Sequence, residues 1–579
     1  MTDDAAAIRD LLAAAEPTDP APLAGLIDRL TVEGRLRGAR LDGRAIGPRG
    51  LAAVEVRGVT DDSRVVGPGS LFVAIPGDHV DGHEFVARAV AAGAAAVIVE
   101  RPLPELAIAQ LIVERSQVAL ATAAAWWYGD PSHELAVVGI TGTDGKTTTS
   151  FLATAALESA GVRTGMIGTA ATRVGGRQAP NEAHATTPDA PHLQAALRAM
   201  VGSGDAAAIL ETTSHGLALE RVGSVAYDVA ILTNVTHEHL EFHGTWDAYR
   251  AAKLSLFERL ASGGPRGGGA GAGRSSTPKA AARVWPRTGI VNADDPSAGP
   301  FIGVTQEAGA RVLTYGTDPS ADIRATRVEE DAGGLRIAYH APSGDATVRL
   351  QLAGRFNVHN ALAVVALGEA TGLDAVAIRE GLEGLSAVPG RMERVDLGQP
   401  FGVIVDYAHS PASLQTVLDL LAPVAAARGG GVIVVFGSAG ERDTAKRPSM
   451  GRIAGEHARL VVVTDEDPRF EDPQAILEAI ARGAEAAGKR RGHDLLVIVD
   501  RHEAIAQGAE AAGKRRDHDL LLIADRRAAI VAAFERARPG DIVLLAGKGH
   551  ERSIIGPDGP TAWDERAEAE SALRDLGFG

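Results

Sequence analysis

The chain contains no cysteine, so disulfides, thiolate metal sites and cysteine nucleophiles are all excluded. It also lacks a basic excess. Its 58 Lys and Arg stand against 74 Asp and Glu, a formal net charge of -16, with a pI near 5.6. Such a chain is a poor match for nucleic-acid phosphates unless a local basic patch overrides the net charge, so no nucleic-acid partner is expected. No run reaches the ~18 uninterrupted apolar residues of a membrane-spanning helix. The segment Met1-Thr2-Asp3-Asp4 is acidic where a secretory signal is basic. A cytoplasmic protein with no membrane insertion is therefore the expectation.

What is present is dominated by one stretch, Val138-Gly139-Ile140-Thr141-Gly142-Thr143-Asp144-Gly145-Lys146-Thr147-Thr148-Thr149. An apolar strand runs into a glycine-framed Lys-Thr turn and then into a helix. Glycines let backbone N–H groups close round phosphates, Lys146 can neutralise the β/γ oxygens, and the Thr147 hydroxyl can ligate magnesium. Gly142 stands closer to Gly145 than the usual G-x-x-x-x-G-K-[ST] spacing, which points to a particular subfamily of nucleotide sites.

At 579 residues the chain is too long for one core, and a prior of roughly 150 residues per domain implies three or four domains. Residues 51–100 read as strand, turn, strand, helix, strand. A helix near 119–128 then leads through Gly129-Asp130-Pro131-Ser132 to a boundary at about residue 133. Strands at 207–211, 229–234 and 288–292 alternate with helices, the pattern of a parallel sheet covered on both faces. The run 263–287 is rich in Gly, Ala, Ser and Arg without any period, and reads as a surface insertion. Strand-rich segments follow around 335–339 and 346–352. A further α/β pattern starts near Arg391, with strands at 403–406, 432–436, 460–464 and 542–546. Within it Gly483–Ile505 and Gly508–Ile530 are tandem copies offset by 25 residues. Two copies are too few for a solenoid, and whether the extra strand-helix unit joins the sheet edge or loops out stays open.

Glu211 closes an apolar strand and begins Glu-Thr-Thr-Ser-His-Gly, where an acid at a parallel strand's carboxyl end can approach the same nucleotide and its metal. The segment 237–243 holds three histidines and two acids, a composition suggestive of zinc. His237 and His239 are only two apart, however, and neither cysteine nor an H-E-x-x-H spacing accompanies them. One histidine supporting a magnesium centre fits better. Asn360 follows a Gly-Arg turn at a helix start and, alone, reads as a plain cap. Arg391 and Asp406 lie in short polar motifs at a hinge and at a strand end.

Taken in order, GTDGKTT, ETTSHGL, NVTHEHLEFHG, GRFNVHN, VPGRMERV, DYAHSP, GSAGERDTAKRP and AGKGHE resemble the Mur ligases, and within them the muramyl-tripeptide synthetase (MurE) type. The resemblance runs from about Val59 to Leu573, leaving out the N-terminal tail, the Gly-rich insertion and one repeat copy. It implies an α/β fold of three domains: an N-terminal uridine-nucleotide domain (1–133), a central P-loop ATPase domain with a parallel sheet (134–390, insertion 263–287), and a C-terminal Rossmann-like domain for the amino acid (391–579, repeat 483–530). It further implies ATP-driven addition of a diamino acid to the D-glutamate of UDP-N-acetylmuramoyl-L-alanyl-D-glutamate through an acyl phosphate, with ATP and Mg2+ as cofactors. The enzyme is expected to be a monomer with small-molecule substrates only.

Residue by residue, the resemblance assigns Gly142, Thr143, Asp144, Gly145, Lys146, Thr147 and Thr148 to ATP. Thr147, Glu211 and His239 go to magnesium, and Lys253 to a carbamate able to hold a second magnesium. From sequence alone Lys253 reads as an ordinary solvated helical lysine. Asn360, Arg391 and Asp406 fall where the family contacts adenine, ribose or phosphate. Ser63 matches a uridine-side contact, and Thr186, Thr187, Thr213 and Arg221 match contacts to the sugar-peptide. Two positions depart from the pattern: Ala185 replaces an Asn, and Leu219 stands where some relatives have Gln.

Amino-acid selection falls to Arg442, Glu466, Asp467, Pro468, Arg469, Gly547 and Glu551. Asp467 replaces the family's Asn with an acceptor-only charge, which favours a substrate ending in ammonium, L-lysine or L-ornithine. Arg469 offers a fork for the distal carboxylate of meso-diaminopimelate, and with Arg442 and Glu551 also present diaminopimelate is the expected substrate. Two alternatives stay open. One is another ligase of the superfamily, adding D-alanyl-D-alanine or extending folate with glutamate, against which the Asp-Pro-Arg and Gly-Lys-Gly-His-Glu runs argue. The other is a nucleotide-binding regulatory module whose ATP hydrolysis drives a switch.

Overall fold

The computed structural model describes residues 3–77, 80–181, 185–236, 240–261, 285–331, 334–497 and 525–579. The chain divides into two compact units. The first comprises Met1–Glu329, Leu335–Leu350 and Phe356–Leu385, and the second Glu330–Gly334, Gln351–Arg355 and Ser386–Gly579. Among the described residues the first unit carries a six-stranded and an eleven-stranded sheet and the second a six-stranded one, each unit adding a two-stranded pair, in the mixed α/β arrangement that the alternating pattern predicts.

In the first unit a six-stranded sheet runs Arg44–Ile46, Leu36–Leu41, Ala109–Val113, Ala96–Val99, Ser70–Val73, Gly58–Thr60, its last four strands parallel. The eleven-stranded central sheet has Ala136–Thr141 in its interior, between Ala207–Glu211 and Val229–Leu232. Seven neighbouring strands from Thr164–Ile167 to Ile323–Asp331 are parallel. Three of them, Ala136–Thr141, Ala207–Glu211 and Val229–Leu232, are buried along their whole length, as strands covered on both faces must be. Helices Ala190–Gly202, Trp246–Glu258 and Ala298–Glu307 lay Leu197, Leu256 and Phe301 against Val137, Leu210, Leu232 and Val291 in one core.

An element outside the sequence reading joins that core. Helix Asp3–Ala15 packs on helix Ala190–Gly202 and strand Arg177–Pro180, burying Ala5 and Ile8. Just beyond it, the Glu16 carboxylate accepts from Trp127 Nε1 at 3.0 Å and from the Tyr128 hydroxyl. Arg29 pairs with Asp130, and Arg198 donates to Tyr128 O, Gly129 O and Glu134 Oε1 at 2.8–2.9 Å. The link between the unit's six-stranded and eleven-stranded sheets is thus pinned from both sides.

In the second unit the order is Glu393–Val395, Gly402–Asp406, Ile542–Ala546, Val432–Phe436, Leu460–Val463, Leu495–Val497, all parallel except the first. The edge strand Leu495–Val497 comes from the first repeat copy, and helix Arg526–Glu535 begins in the second. The intervening residues 498–524, like most of the insertion 263–287, lie outside the described residues. No described helix is long and apolar enough to cross a membrane.

Replacing Glu16 by Ala removes the acceptor shared by Trp127 Nε1 and the Tyr128 hydroxyl, a change expected to cost about 1–3 kcal/mol. Urea unfolding followed by tryptophan fluorescence should show an earlier midpoint; an unchanged midpoint would mean that Glu16 contributes nothing to this joint.

Candidate active site

Strand Ala136–Thr141 delivers the phosphate loop to the sheet's carboxyl edge. Gly142 (φ 152) and Gly145 (φ 83) hold the turn open. A Cβ at Gly142 would sit 1.8 Å from Thr233 Oγ1, and one at Gly145 2.5 Å from Asn360 Oδ1, so only glycine fits either position. Helix Lys146–Ser159 starts directly after the turn and aims its N-terminal amides at it. Lys146 Nζ donates to Gly142 O (2.9 Å) and Thr143 O (2.8 Å), its side chain folded over the loop. Thr143 bonds the Tyr249 hydroxyl at 2.9 Å, and Asp144 N donates to Asn234 Oδ1. Asn360, at the start of helix Asn357–Thr371, accepts from Thr149 Oγ1 at 3.1 Å and thereby borders the loop.

Lys253 is buried, not solvated. Its Nζ donates to Gly142 O at 2.7 Å and lies 4.4 Å from the Tyr249 ring centroid. Two ammonium groups thus converge on one carbonyl oxygen, a concentration of positive charge that a phosphate, or a carbamate on Lys253, would relieve. His239, with His237, lies outside the described residues.

Glu211 ends the neighbouring strand, in register with Ile140, and is buried. Its Oε2 accepts from Thr147 Oγ1 (2.9 Å) and Thr169 Oγ1 (2.7 Å), and its Oε1 from Thr169 N (3.0 Å). These are hard oxygen donors at the mouth of a phosphate loop, the chemistry magnesium takes. Around them stands a shelf of hydroxyls. Thr187 Oγ1 donates to Glu211 O (2.8 Å) and meets Thr213 Oγ1 at 3.1 Å; Thr186 Oγ1 meets Thr169 Oγ1 at 3.0 Å; and Arg221 donates to Thr187 O at 2.8 Å. Thr147, Glu211, Thr186, Thr187, Thr213 and Arg221 are therefore contiguous. At the departing position Ala185, the carbonyl accepts from Asn181 Nδ2 (3.0 Å), which also donates to Gly168 O.

Ser63 lies half-buried in the turn after strand Gly58–Thr60. Two residues before it, Asp61 keeps an exposed edge. Even so, the protein around it, together with Asp189, raises its carboxyl above the ordinary range. Asp189 caps helix Ala190–Gly202 immediately after Thr186 and Thr187, so the turn bearing Ser63 faces that segment.

In the second unit the predicted residues gather at the carboxyl ends of its strands. Arg391 stacks over Tyr407 with 4.6 Å from guanidinium carbon to ring centroid. Asp406 is buried, which raises its carboxyl pKa, though it accepts from Met392 N and Ala408 N at 2.8 Å. Lys548 is fully buried between Asp467 (Nζ to Oδ1, 2.8 Å) and Glu551. Burial opposes its charge, but the two carboxylates outweigh burial and hold the ammonium above the usual lysine value. Asp467 Oδ1 also accepts from Ile555 N at 2.9 Å. The Asp467 carboxylate therefore has partners within the protein, and one ammonium is shared between it and Glu551.

Beside that pair, Glu466 Oε2, Arg469 Nε, Ser438 Oγ and Thr464 Oγ1 are buried without a hydrogen-bond partner among the described residues. Buried polar groups usually have a partner, which water or a ligand can supply at these positions. Gly547 (φ 100) leaves no room for a side chain, since a Cβ would lie 2.7 Å from Glu466 Oε2. Pro468 is buried and Arg442 stands exposed before helix Lys446–His457. Arg469 adopts a φ of 56 and donates its N–H to Ile555 O.

Three participants escaped the sequence reading. Lys548 was present in the AGKGHE run, and its charge was a usable signal. Arg526, wholly buried against Glu565 and donating to Ala546 O (2.7 Å) and Asp465 O (3.2 Å), braces the strand ends beside Gly547 and Glu466. Thr169 had no signal beyond following a buried strand.

Residues 55–126 match the profile "Mur ligase family, catalytic domain", residues 140–368 "Mur ligase middle domain" and residues 390–549 "Mur ligase, glutamate ligase domain". The chain is 45% identical over 529 residues to the UDP-N-acetylmuramyl-tripeptide synthetase of Roseiflexus sp. (strain RS-1), covering 91% of this chain and 96% of that one. It is 38% identical over 531 residues to the UDP-N-acetylmuramoyl-L-alanyl-D-glutamate--2,6-diaminopimelate ligase of Geobacter metallireducens, with the same coverage of 91% and 96%. A solved structure of a UDP-N-acetylmuramoyl-L-alanyl-D-glutamate--2,6-diaminopimelate ligase superposes with a TM-score of 0.57 at 28% identity, covering 91% of this chain and 97% of that one.

Gly142→Ala forces a Cβ into Thr233 and strains the turn by about 1–3 kcal/mol. Binding of a fluorescent ATP analogue should weaken by about tenfold or more, and wild-type affinity would refute the tight-turn account.

Proposed function

The chain belongs to the Mur ligase family, and from that premise we propose that it joins meso-diaminopimelate to the D-glutamate carboxylate of UDP-N-acetylmuramoyl-L-alanyl-D-glutamate at the expense of ATP. It is an amide-forming ligase of peptidoglycan precursor synthesis, and we place its work in the cytoplasm, as a monomer. The observation that carries this reading is the unbroken hydrogen-bonded path from the phosphate loop through Glu211 to the threonine shelf. A phosphoryl donor and a peptide carboxylate bound at its two ends would be neighbours.

A carboxylate is a poor electrophile because its oxygen cannot leave as oxide. Transfer of the γ-phosphoryl group from ATP to a carboxylate oxygen gives an acyl phosphate and ADP. The amine of the diamino acid then adds to the acyl carbon, loses a proton, and the tetrahedral species expels phosphate as the amide forms. In this scheme Lys146 leaves the loop carbonyls for the β/γ oxygens, where its charge offsets that of the transferring group. The amides at the start of helix Lys146–Ser159 cradle the phosphates. Thr147 and Glu211 fit a magnesium ion, with Lys253 as a carbamate and His239 as the further ligands. When bound, that ion supplies neutralisation of crowded phosphate oxygens. Thr186, Thr187, Thr213 and Arg221 orient the acceptor peptide, with Ser63 on the uridine side. Asn360, Arg391 and Asp406 serve the rest of the nucleotide.

For the amine substrate, the two unmatched buried groups are of opposite sign: Glu466 Oε2 suits an ammonium and the Arg469 guanidinium a carboxylate. Diaminopimelate offers both at its distal end, where lysine and ornithine offer the ammonium alone. Asp467 is already bonded to Lys548 and to Ile555 N, and the Arg469 guanidinium, which suits a distal carboxylate, is the feature that supports diaminopimelate. Arg442, Pro468, Gly547 and Glu551 complete this site.

The deciding measurement is phosphate release from ATP with UDP-muramoyl-dipeptide and each of diaminopimelate, L-lysine and L-ornithine. Release with diaminopimelate is expected; none with any of the three would sink the ligase reading, and release independent of any amino acid would favour a regulatory ATPase. Lys146→Ala should lower turnover at least about 100-fold with an unchanged circular dichroism spectrum. Arg469→Ala should reduce kcat/KM for diaminopimelate by about 10–100-fold, the range for a hydrogen bond to a charged group, and barely touch lysine. Asp467→Asn should leave the preference for diaminopimelate in place; a marked shift would restore the free-charge argument.

A further inference from the structure

Glu211 is held by one residue more firmly than by any loop element around it. Thr169 gives its backbone N–H to Oε1 at 3.0 Å and its hydroxyl to Oε2 at 2.7 Å, fixing both oxygens and so the plane of the carboxylate. The preceding Gly168 makes that approach possible, since a Cβ there would lie 2.1 Å from Oε1. Asn181 Nδ2 ties Gly168 O at 2.8 Å to Ala185 O, so the turn bearing Thr169 is anchored to the segment that leads into Thr186.

A hydroxyl has one proton. Thr169 spends its proton on the carboxylate, so in its 3.0 Å contact with Thr186 Oγ1 it can only accept. Thr186 must then be the donor, and its own oxygen is left with lone pairs alone. The order Thr186 to Thr169 to Glu211 is thereby directed. From this geometry we infer that Thr169 is a positioning residue with two effects: it locks Glu211 in the orientation that meets Thr147, and it makes Thr186 an acceptor that recognises an N–H or O–H group of the acceptor substrate, such as a peptide amide or sugar hydroxyl, and not its carboxylate.

The inference rests on the reading of Glu211 as a metal-holding carboxylate, and the test separates the two. The probe is Mn2+ binding to the full chain with a non-hydrolysable ATP analogue, followed by electron paramagnetic resonance. Thr169→Val keeps the size and the backbone N–H but removes the hydroxyl. It should weaken Mn2+ binding about tenfold or more, the usual effect of losing an outer hydrogen bond to a metal ligand. It should also raise KM for the UDP-muramoyl-dipeptide, because Thr186 is then free to turn its proton outward. Thr169→Ser retains the hydroxyl and should restore both. A thermal midpoint within a few degrees of wild type in both variants would show that the change is not loss of fold. Wild-type Mn2+ affinity in Thr169→Val, or no rescue by Ser, overturns the inference. Failure of the wild-type chain itself to hold Mn2+ removes the metal reading on which it stands.

Discussion

A carboxylate buried at the end of a central strand must be matched by donors or neutralised, because desolvating an unpaired charge costs far more than one domain's net stability can absorb. Glu211 meets that demand with hydroxyls and an amide from two separate segments, Thr147 at the phosphate helix and Thr169 after the adjoining strand, while its backbone carbonyl separately accepts from Thr187. Satisfying one acid therefore draws the nucleotide loop and the threonine shelf to the same point of the sheet edge. The glycines follow from the same crowding. Gly142, Gly145 and Gly168 are each approached by a polar atom closer than any side chain permits.

The second unit solves a comparable problem with ion pairs. Lys548 lies between Asp467 and Glu551, and Arg526 against Glu565, all at the carboxyl ends of parallel strands. Burying such groups contributes little net stability when compared with apolar packing, so their value lies in what they hold in place. Arg526 braces the carbonyls of Ala546 and Asp465, and Lys548 ties residues 467 and 551 together. Beside this satisfied network stand Glu466 and Arg469 with buried polar atoms still unmatched. That contrast supports the placement proposed for the amino-acid substrate.

Much of this was readable along the chain. The phosphate loop is local: strand, glycines, Lys146 and Thr147 occur within a few residues, so their geometry follows from backbone chemistry and survives any tertiary context. The parallel strands were equally plain, since 207–211, 288–292, 432–436 and 542–546 are short segments with apolar centres whose ends agree with the observed Ala207–Glu211, Thr288–Asn292, Val432–Phe436 and Ile542–Ala546. The helix Asp3–Ala15 was not read, because its value comes from Ile8 meeting a core that only the folded first unit creates. Lys253 looked solvated for the same reason; its burial depends on the carbonyl of Gly142, 111 residues away in sequence.

The sequence by itself determined the family, the reaction class and the strand-turn-helix loop around Lys146, since contiguous motifs carry their own geometry. The tertiary structure alone decided how charges are spent. Asp467 reads as a free anion until Lys548, 81 residues distant, is found bonded to it, and Thr169 is unremarked until its turn is folded against Glu211. Electrostatic and hydrogen-bond partners are chosen by distance in space, to which order along the chain is blind.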